Sequence, residues 1–365
     1  MTSAQNSALF ISSSPVFTVD DEDRGELARD LVFLEVEESI DGLKNLRARF
    51  VAVGPRVGAE QEELLYMDGR IFDFGKSLKV AIGPLEGQRI IFDGFISALE
   101  ISYDEGEEPE ICVFAEDRLM DLRMTRRMKT YQDMSDEDMA REIANEHGLS
   151  AETDVQGPSY DRIQQWNMSD LAFLRDRARL LQADVWIDGD TLHFKTRDKR
   201  EGSEISLVRG NELVAVSANA DLAHQRTAVN VSGYDANNRE VIDETAAEDV
   251  VQAEIISGRS GSEILRSAFG ERVSHRVREV PLDSSEASDW ARAEMLRRAR
   301  KFVSVNGITH GSPDLVVGSQ LTLDRMGPLF DGENYYVTHV LHTYNMACCH
   351  RTHFEAERVS VGEYV

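Results

Sequence analysis

Gly75-Lys76-Ser77-Leu78-Lys79-Val80 and Gly318-Ser319-Gln320-Leu321-Thr322-Leu323 are the two stretches whose reading decides the fold of this 365-residue chain. In each, a glycine leads into a run whose apolar side chains fall two apart, the period of a strand with one buried face. The first run is followed by Gly83-Pro84-Leu85 and the second by Gly327-Pro328-Leu329, each then leading to a turn glycine and a long strand-like segment. Similar closing strands end the two regions, Phe114-Ala115-Glu116-Asp117-Arg118 and Phe354-Glu355-Ala356-Glu357-Arg358. The two β regions read as copies of one unit. A chain with two such units makes a six-membered ring from three copies. Gly83, Gly318, Gly327 and Gly332 are the candidate structural turn glycines, at positions that need a positive φ or a close backbone approach.

Outward from these stretches the first region continues as strands. Residues 29–36 and 43–53 read as strands, the second with clear alternation of apolar and charged side chains, and so do 77–82, 89–103 and 109–116, bounded by glycine or acidic turn clusters. Strands that follow one another through turns predict an antiparallel sheet or barrel. The character changes after residue 120. Ser135-Asp136-Glu137-Asp138 caps a helix whose apolar face is Met139, Ala140, Ile143 and Ala144, with Gly148 as its stop. A second helix starts at Ser169-Asp170 and carries Leu171, Leu174, Ala178 and Leu181 on one stripe. Asp188-Gly189-Asp190 between two alternating runs marks a hairpin.

The C-terminal part returns to strands at 212–218, 226–234, 239–243, 302–308, 316–324, 334–345 and 349–359, with one helix over roughly 285–300. Residues 246–280, with the Gly/Ser-rich run Ser257-Gly258-Arg259-Ser260-Gly261-Ser262, read as including a surface loop. The predicted fold class is therefore α+β, mainly β: two tube-like antiparallel β-barrel domains flanking a small α+β insert. The boundaries are 1–120 for the first barrel, 121–203 for the insert, and 204–365 for the second barrel with one helix.

Composition narrows the function. A formal charge of −26 repels phosphate backbones and anionic membrane surfaces, which excludes a sequence-specific nucleic-acid reader. No apolar run approaches the length of a membrane span, and Met1-Thr2-Ser3-Ala4-Gln5-Asn6 is no secretory leader. Three cysteines, Cys112 and the adjacent Cys348 and Cys349, do not make a disulfide framework and point to a reducing compartment.

His339, His342, Cys348, Cys349, His350 and His353 are dense enough to raise a zinc site, but strand neighbours point to opposite faces and no Cys-x-x-Cys pair is present. The competing reading is barrel packing with exposed histidines. Gly258-Arg259-Ser260-Gly261-Ser262 lacks the Gly-Lys-Ser/Thr of a phosphate loop, and neither Gly-x-Ser-x-Gly nor His-Glu-x-x-His occurs. The many carboxylates leave a glycosidase pair open without pointing to one. No catalytic, cofactor or metal residue is assigned.

Three further stretches carry a family resemblance. Arg126-Arg127-Met128-Lys129-Thr130-Tyr131-Gln132 precedes the capped helix, and Gln164-Gln165-Trp166-Asn167-Met168-Ser169-Asp170-Leu171-Ala172-Phe173-Leu174 opens the second. Gly311-Ser312-Pro313-Asp314-Leu315-Val316-Val317-Gly318 is followed by Phe330-Asp331-Gly332-Glu333-Asn334-Tyr335-Tyr336-Val337. In order and spacing, over about residues 25–360, they resemble the phage tail-hub family: late control protein D and the N-terminal half of the type VI secretion spike protein VgrG. The resemblance implies a non-enzymatic baseplate hub of a contractile tail or injection system. It implies a homotrimeric ring joining a sixfold tail tube to a threefold spike, made in the bacterial cytoplasm and built into the particle. Implied partners are further copies of the chain, a spike protein, the tail tube protein, other baseplate subunits, and tape-measure protein or effector in the lumen. Since the sequence ends at Gly362-Glu363-Tyr364-Val365, the spike is expected to be a separate protein. The alternative is a cell-wall hydrolase or metal-dependent enzyme on the same scaffold. On the hub reading, acidic side chains on alternate strand positions face a channel, with Glu35, Glu37 and Glu100 as candidates.

Overall fold

A computed structural model of the protein describes residues 14–55, 62–83, 87–236, 238–276 and 280–362. Leu31–Ser39 (β1), Asn45–Val51 (β2), Ser77–Ile82 (β3), Arg89–Ser102 (β4) and Glu110–Glu116 (β5) form one set of strands. Leu213–Ala220 (β6), Val303–His310 (β7), Gln320–Asp324 (β8), Gly332–Asn345 (β9) and Cys349–Arg358 (β10) form a second. The first set pairs in the order β1-β2-β5-β4-β3 and the second in the order β6-β7-β10-β9-β8, every ladder antiparallel. Strand n of the first set and strand n+5 of the second hold the same place.

The irregularities recur too. The β1–β2 register shifts between Leu31 and Phe33, and the β6–β7 register between Leu213 and Ala215. The β4–β5 register shifts between Ile96 and Ala98, and the β9–β10 register between Val337 and His339. A bulge interrupts the ladder and is kept only where the fold needs it, so two in corresponding places argue for one repeated unit. The same backbone bonds flank the second bulge in each half: Gly75 N–H to Ile96 O and Ile96 N–H to Lys76 O, then Gly318 N–H to Val337 O and Val337 N–H to Ser319 O. This correspondence sets Ala115-Glu116 against Ala356-Glu357, one residue away from the match of Phe114 with Phe354 that the sequence suggests.

The halves are joined directly. β9 pairs antiparallel with β1, from His339 opposite Ser39 to Asn345 opposite Phe33. All ten strands thus lie in one 13-stranded sheet, mainly antiparallel, whose described ladders run as an open path with β8 branching from β9. Leu34, Val36, Leu46, Ala48, Phe50 and Val80 fill the core of the first half, and Val305, Leu321, Tyr335, Val337 and Phe354 that of the second. Tyr344, near the end of β9, packs into the first-half core across the joint. Each such side chain, fully buried, stabilises by about 1.5–3 kcal/mol.

A third core gathers Leu119, Tyr131, Ile143, Leu171, Leu174 and Phe194. Asp136–Glu146 (α1) is closed by a capping box in which Ser135 and Asp138 bond each other's backbone N–H. Asp170–Leu181 (α2) is capped by Ser169, whose side chain accepts from the Ala172 N–H. Gly189-Asp190 turns between Ala183–Asp188 and Thr191–Thr196, with Gly189 at φ +54°. The basic-aromatic stretch before α1 is itself a strand: Arg126–Ser135 pairs with Ser159–Ser169 as a two-stranded ribbon.

A fourth core lies between β6 and β7 in the sequence. There Ser284–Arg300 (α3) packs Ala287, Trp290, Ala291 and Met295 against Val229, Val231 and Ile242. Among the described residues three helices stand where one was expected after residue 204, because Glu248–Gln252 and Gly261–Phe269 are also helical. The Gly/Ser-rich run is therefore not simply loop. Ser260 accepts from the Glu263 N–H, so a serine that looks like linker composition is a helix N-cap. Pro84 and Leu85, part of the first Gly-Pro-Leu, lie outside the described residues.

Candidate interaction surface

One face of the long sheet is core and the other is polar, as the alternation in β1 dictates. Leu34 and Val36 point inward, while Glu35 and Glu37 lie on the opposite face. Across the ladders Glu35 stands opposite Arg47, Arg47 opposite Phe114, and Arg49 opposite Cys112, which faces Glu100. The three candidate acids thus share one face. Glu35 lies 3.8 Å from Arg47, and Glu37 Oε1 lies 2.8 Å from His339 Nε2. A hydrogen bond with Cys112, together with the fields of Glu35 and Glu100, pushes the Arg47 guanidinium above its ordinary value.

Arg47 also sits over the Phe114 ring and Arg49 over Phe33, with centroid distances of 5.9 and 5.6 Å. The face continues over the joint through Leu341 and Thr343 of β9 to His353 and Glu355 of β10. It is a mixture of acids, arginines and rings rather than an acidic wall. The arginines were not singled out from the sequence. Their signal is the Leu46-Arg47-Ala48-Arg49-Phe50 alternation, which places both opposite the acids once β1 and β2 pair.

The histidine-cysteine cluster splits between the two faces. His339 and His353 are on the polar side, and Cys348 and Cys349 are exposed at the β9–β10 turn. His342 and His350 are not exposed; they are 5% and 1% accessible. Their position in β9 and β10 is on the core side, where the His350 Nε2 and His342 Nδ1 atoms are 3.2 Å apart. His342 Nδ1 is also 3.1 Å from Thr352 Oγ1, which accepts from the Ser312 N–H. Burial pushes both imidazoles down, His350 to about 4 with Arg351 adding repulsion, and His342 well below 6.5 with His350 and Lys44 adding theirs. Among the described residues no group of three or more His, Cys, Asp or Glu side chains is placed to hold a metal ion.

Two buried carboxylates begin the helices of the insert. Asp136 accepts from Arg177 Nε at 2.5 Å and from the Tyr160 hydroxyl at 3.2 Å. Asp170 accepts from Arg127 Nε at 2.8 Å and Gln165 Nε2 at 2.8 Å, with His147 Nε2 also at 2.8 Å. Each sits in the first turn of its helix, at the positive end of the helix dipole. Both carboxylates are committed to holding the insert together. The turn glycines Gly83, Gly318, Gly327 and Gly332 have φ of +124°, +96°, +97° and +125°. Gly83, Gly318 and Gly327 lie in loops and Gly332 begins β9, so the four form no one cluster. Among the described residues no helix is long and apolar enough to cross a membrane.

Comparison with solved structures places this fold among tail proteins. The 43 kDa tail protein of prophage MuSo2 from Shewanella oneidensis superposes with a TM-score of 0.68 at 14% identity, covering 95% of this chain and 98% of that one. A tail protein from Neisseria meningitidis MC58 gives 0.65 at 11% identity, covering 94% and 96%. The E. coli c3393 protein, described as a component of the type VI secretion system with structural similarity to T4 bacteriophage tail proteins, gives 0.55 at 12% identity, covering 92% and 76%. No curated protein matches by sequence. At such identities the shared property is the fold. A family model does match the sequence itself, over residues 56–345, which span β3 to β9 and the insert: the chain belongs to the family described as the Alg8 N-terminal domain.

Proposed function

We propose that the protein is a non-enzymatic hub subunit of a contractile tail or injection apparatus, of the late control protein D type. Three copies form a ring, and the two repeated units of each chain present six similar positions to a tail tube and three to a spike. The division is 1–120 and 204–365 for two tube-like barrels, with 121–203 as the insert between them. What carries the reading is the repeat: two five-strand units with the same ladder order and the same bulges, fused side by side in one chain. Fusing two units halves the rotational symmetry without changing what each unit offers a neighbour. The likeness in fold to tail proteins and to a type VI secretion component supports it.

On this reading the polar face with Glu35, Glu37 and Glu100 lines the channel. Arg47 and Arg49 offset part of its charge, leaving a hydrated wall on which tape-measure protein or an effector slides rather than sticks. Partners are the tail tube protein, a separate spike and other baseplate subunits, and the protein, made in the bacterial cytoplasm, works inside the particle. Light scattering of the purified protein with its spike should report three copies of this chain. A stable monomer in the presence of spike and tube subunits would refute the proposal.

A further inference from the structure

The joint between the two halves is a template for the joint between neighbouring chains. Within the chain, β9 uses its N-terminal part to hold β8 and its C-terminal part, 339–345, to hold β1. By the repeat, β4 corresponds to β9 and β6 to β1. β4 holds β3 through Arg89–Phe95, and Ile96 closes that ladder with the same pair of backbone bonds that Val337 makes. Beyond Ile96, β4 pairs with β5 on one side, and among the described residues no strand occupies the other. β6 is likewise an end strand of the sheet; among the described residues the one strand it pairs with is β7, and its first residue, Leu213, makes an isolated bridge with Arg209. The structure thus holds one β9–β1 joint and, at the open side of β4 and the free edge of β6, the two halves of a second.

We infer that the C-terminal part of β4 pairs antiparallel with β6 of a second copy of this chain, in the register of the β9–β1 joint. That register puts Ser102 opposite Ser217, Ile101 opposite Ala218 and Tyr103 opposite Val216. The corresponding pairs within the chain are Thr343 with Glu35, His342 with Val36 and Tyr344 with Leu34. The inference rests on the ring reading above and specifies which edges close the ring.

Exposure supports it. Tyr344 is 7% accessible in the first-half core, whereas its counterpart Tyr103 is 62% accessible; His342 is 5% and its counterpart Ile101 is 45%. The side chains that are buried at the completed joint are bare at the open one. β6 is also eight residues long without a single charge, Leu213-Val214-Ala215-Val216-Ser217-Ala218-Asn219-Ala220, in a chain of net charge −26. Free edges are normally blunted by lysine, proline or inward charges, and an unprotected one is a template for another strand. The contact is head to tail, each chain giving one β4 edge and one β6 edge, so it generates a ring when the rotation closes.

The test is a cysteine pair across the inferred ladder. Facing residues in an antiparallel ladder have Cα atoms about 4.5–5.5 Å apart, within disulfide reach. Ser102→Cys and Ser217→Cys are introduced together into the full chain carrying Cys348→Ser and Cys349→Ser, then oxidised and run without reductant. A covalent trimer, absent with either cysteine alone, is the expected result. A trimer by light scattering that stays uncrosslinked overturns the edge assignment and leaves the ring reading intact. Crosslinked chains that run on as ladders beyond three support the edges and overturn the closed trimer. A monomer without crosslinks, with spike and tube subunits present, overturns both. Tyr103→Glu, at an exposed position, should keep the melting temperature of the monomer and abolish assembly; normal assembly of this variant also counts against the inferred ladder.

Discussion

Acid should loosen the β9–β10 hairpin through its buried histidines, and the size of the effect follows from their surroundings. In the unfolded chain an imidazole takes up a proton near its ordinary value of 6.5, but folded His350 does so only at about 4. Between those values the unfolded state binds more protons, so stability falls as pH falls, beginning near 6.5 and levelling out below about 4. The gap corresponds to about 3 kcal/mol from His350 alone. His342 acts in the same direction, since its ring is also held well below 6.5. The imidazole of His350 is closely packed, because a Cβ on Gly311 would meet its Nδ1 at 2.1 Å. His350→Phe therefore keeps a flat ring and removes the titration. Chemical denaturation at a series of pH values from about 7 to about 4 should show a shallower loss for the variant, the difference amounting to about 3 kcal/mol. Acid also protonates carboxylates in both proteins, so the difference between the two curves is the readout. Parallel curves would refute the reasoning.

Two other perturbations probe the architecture. Gly332 begins β9 at φ +125°, and a side chain there would also crowd the Arg358 guanidinium at 3.2 Å, so Gly332→Val should destabilise by about 1–3 kcal/mol in equilibrium unfolding; unchanged stability would mean this turn is placed wrongly. Asp170→Ala removes the carboxylate partner of the buried Gln165 amide and the His147 ring while Arg127 keeps Glu146, and a loss of about 1–3 kcal/mol is expected by the same measurement. A loss under about 1 kcal/mol would show that Asp170 is not what holds the start of α2.

The sequence by itself determined the ten strands of the two sets, the two capped helices of the insert and the existence of a repeat. These are set by side chains close in the chain: the two-residue alternation of Ser77–Ile82, the Ser135 and Ser169 caps, and the glycines that stop each run. It placed Glu35 and Glu37 on one face of a strand, because strand period fixes that without knowledge of any partner. The helix Gly261–Phe269 was hidden, since its cap and first turn are built from the same glycines and serines as a linker. Only the tertiary structure decided what stands opposite what. Register between strands depends on which residues the turns bring opposite one another, so neither the pairing of Arg47 with Glu35 nor the contact of His342 with His350 is fixed by the alternation within one strand. The joint of β9 on β1 is of the same kind. It brings residue 339 beside residue 39, buries Tyr344 in the other half's core, and leaves its counterpart Tyr103 bare, because a repeat in a single chain can complete within itself only one of its two joints.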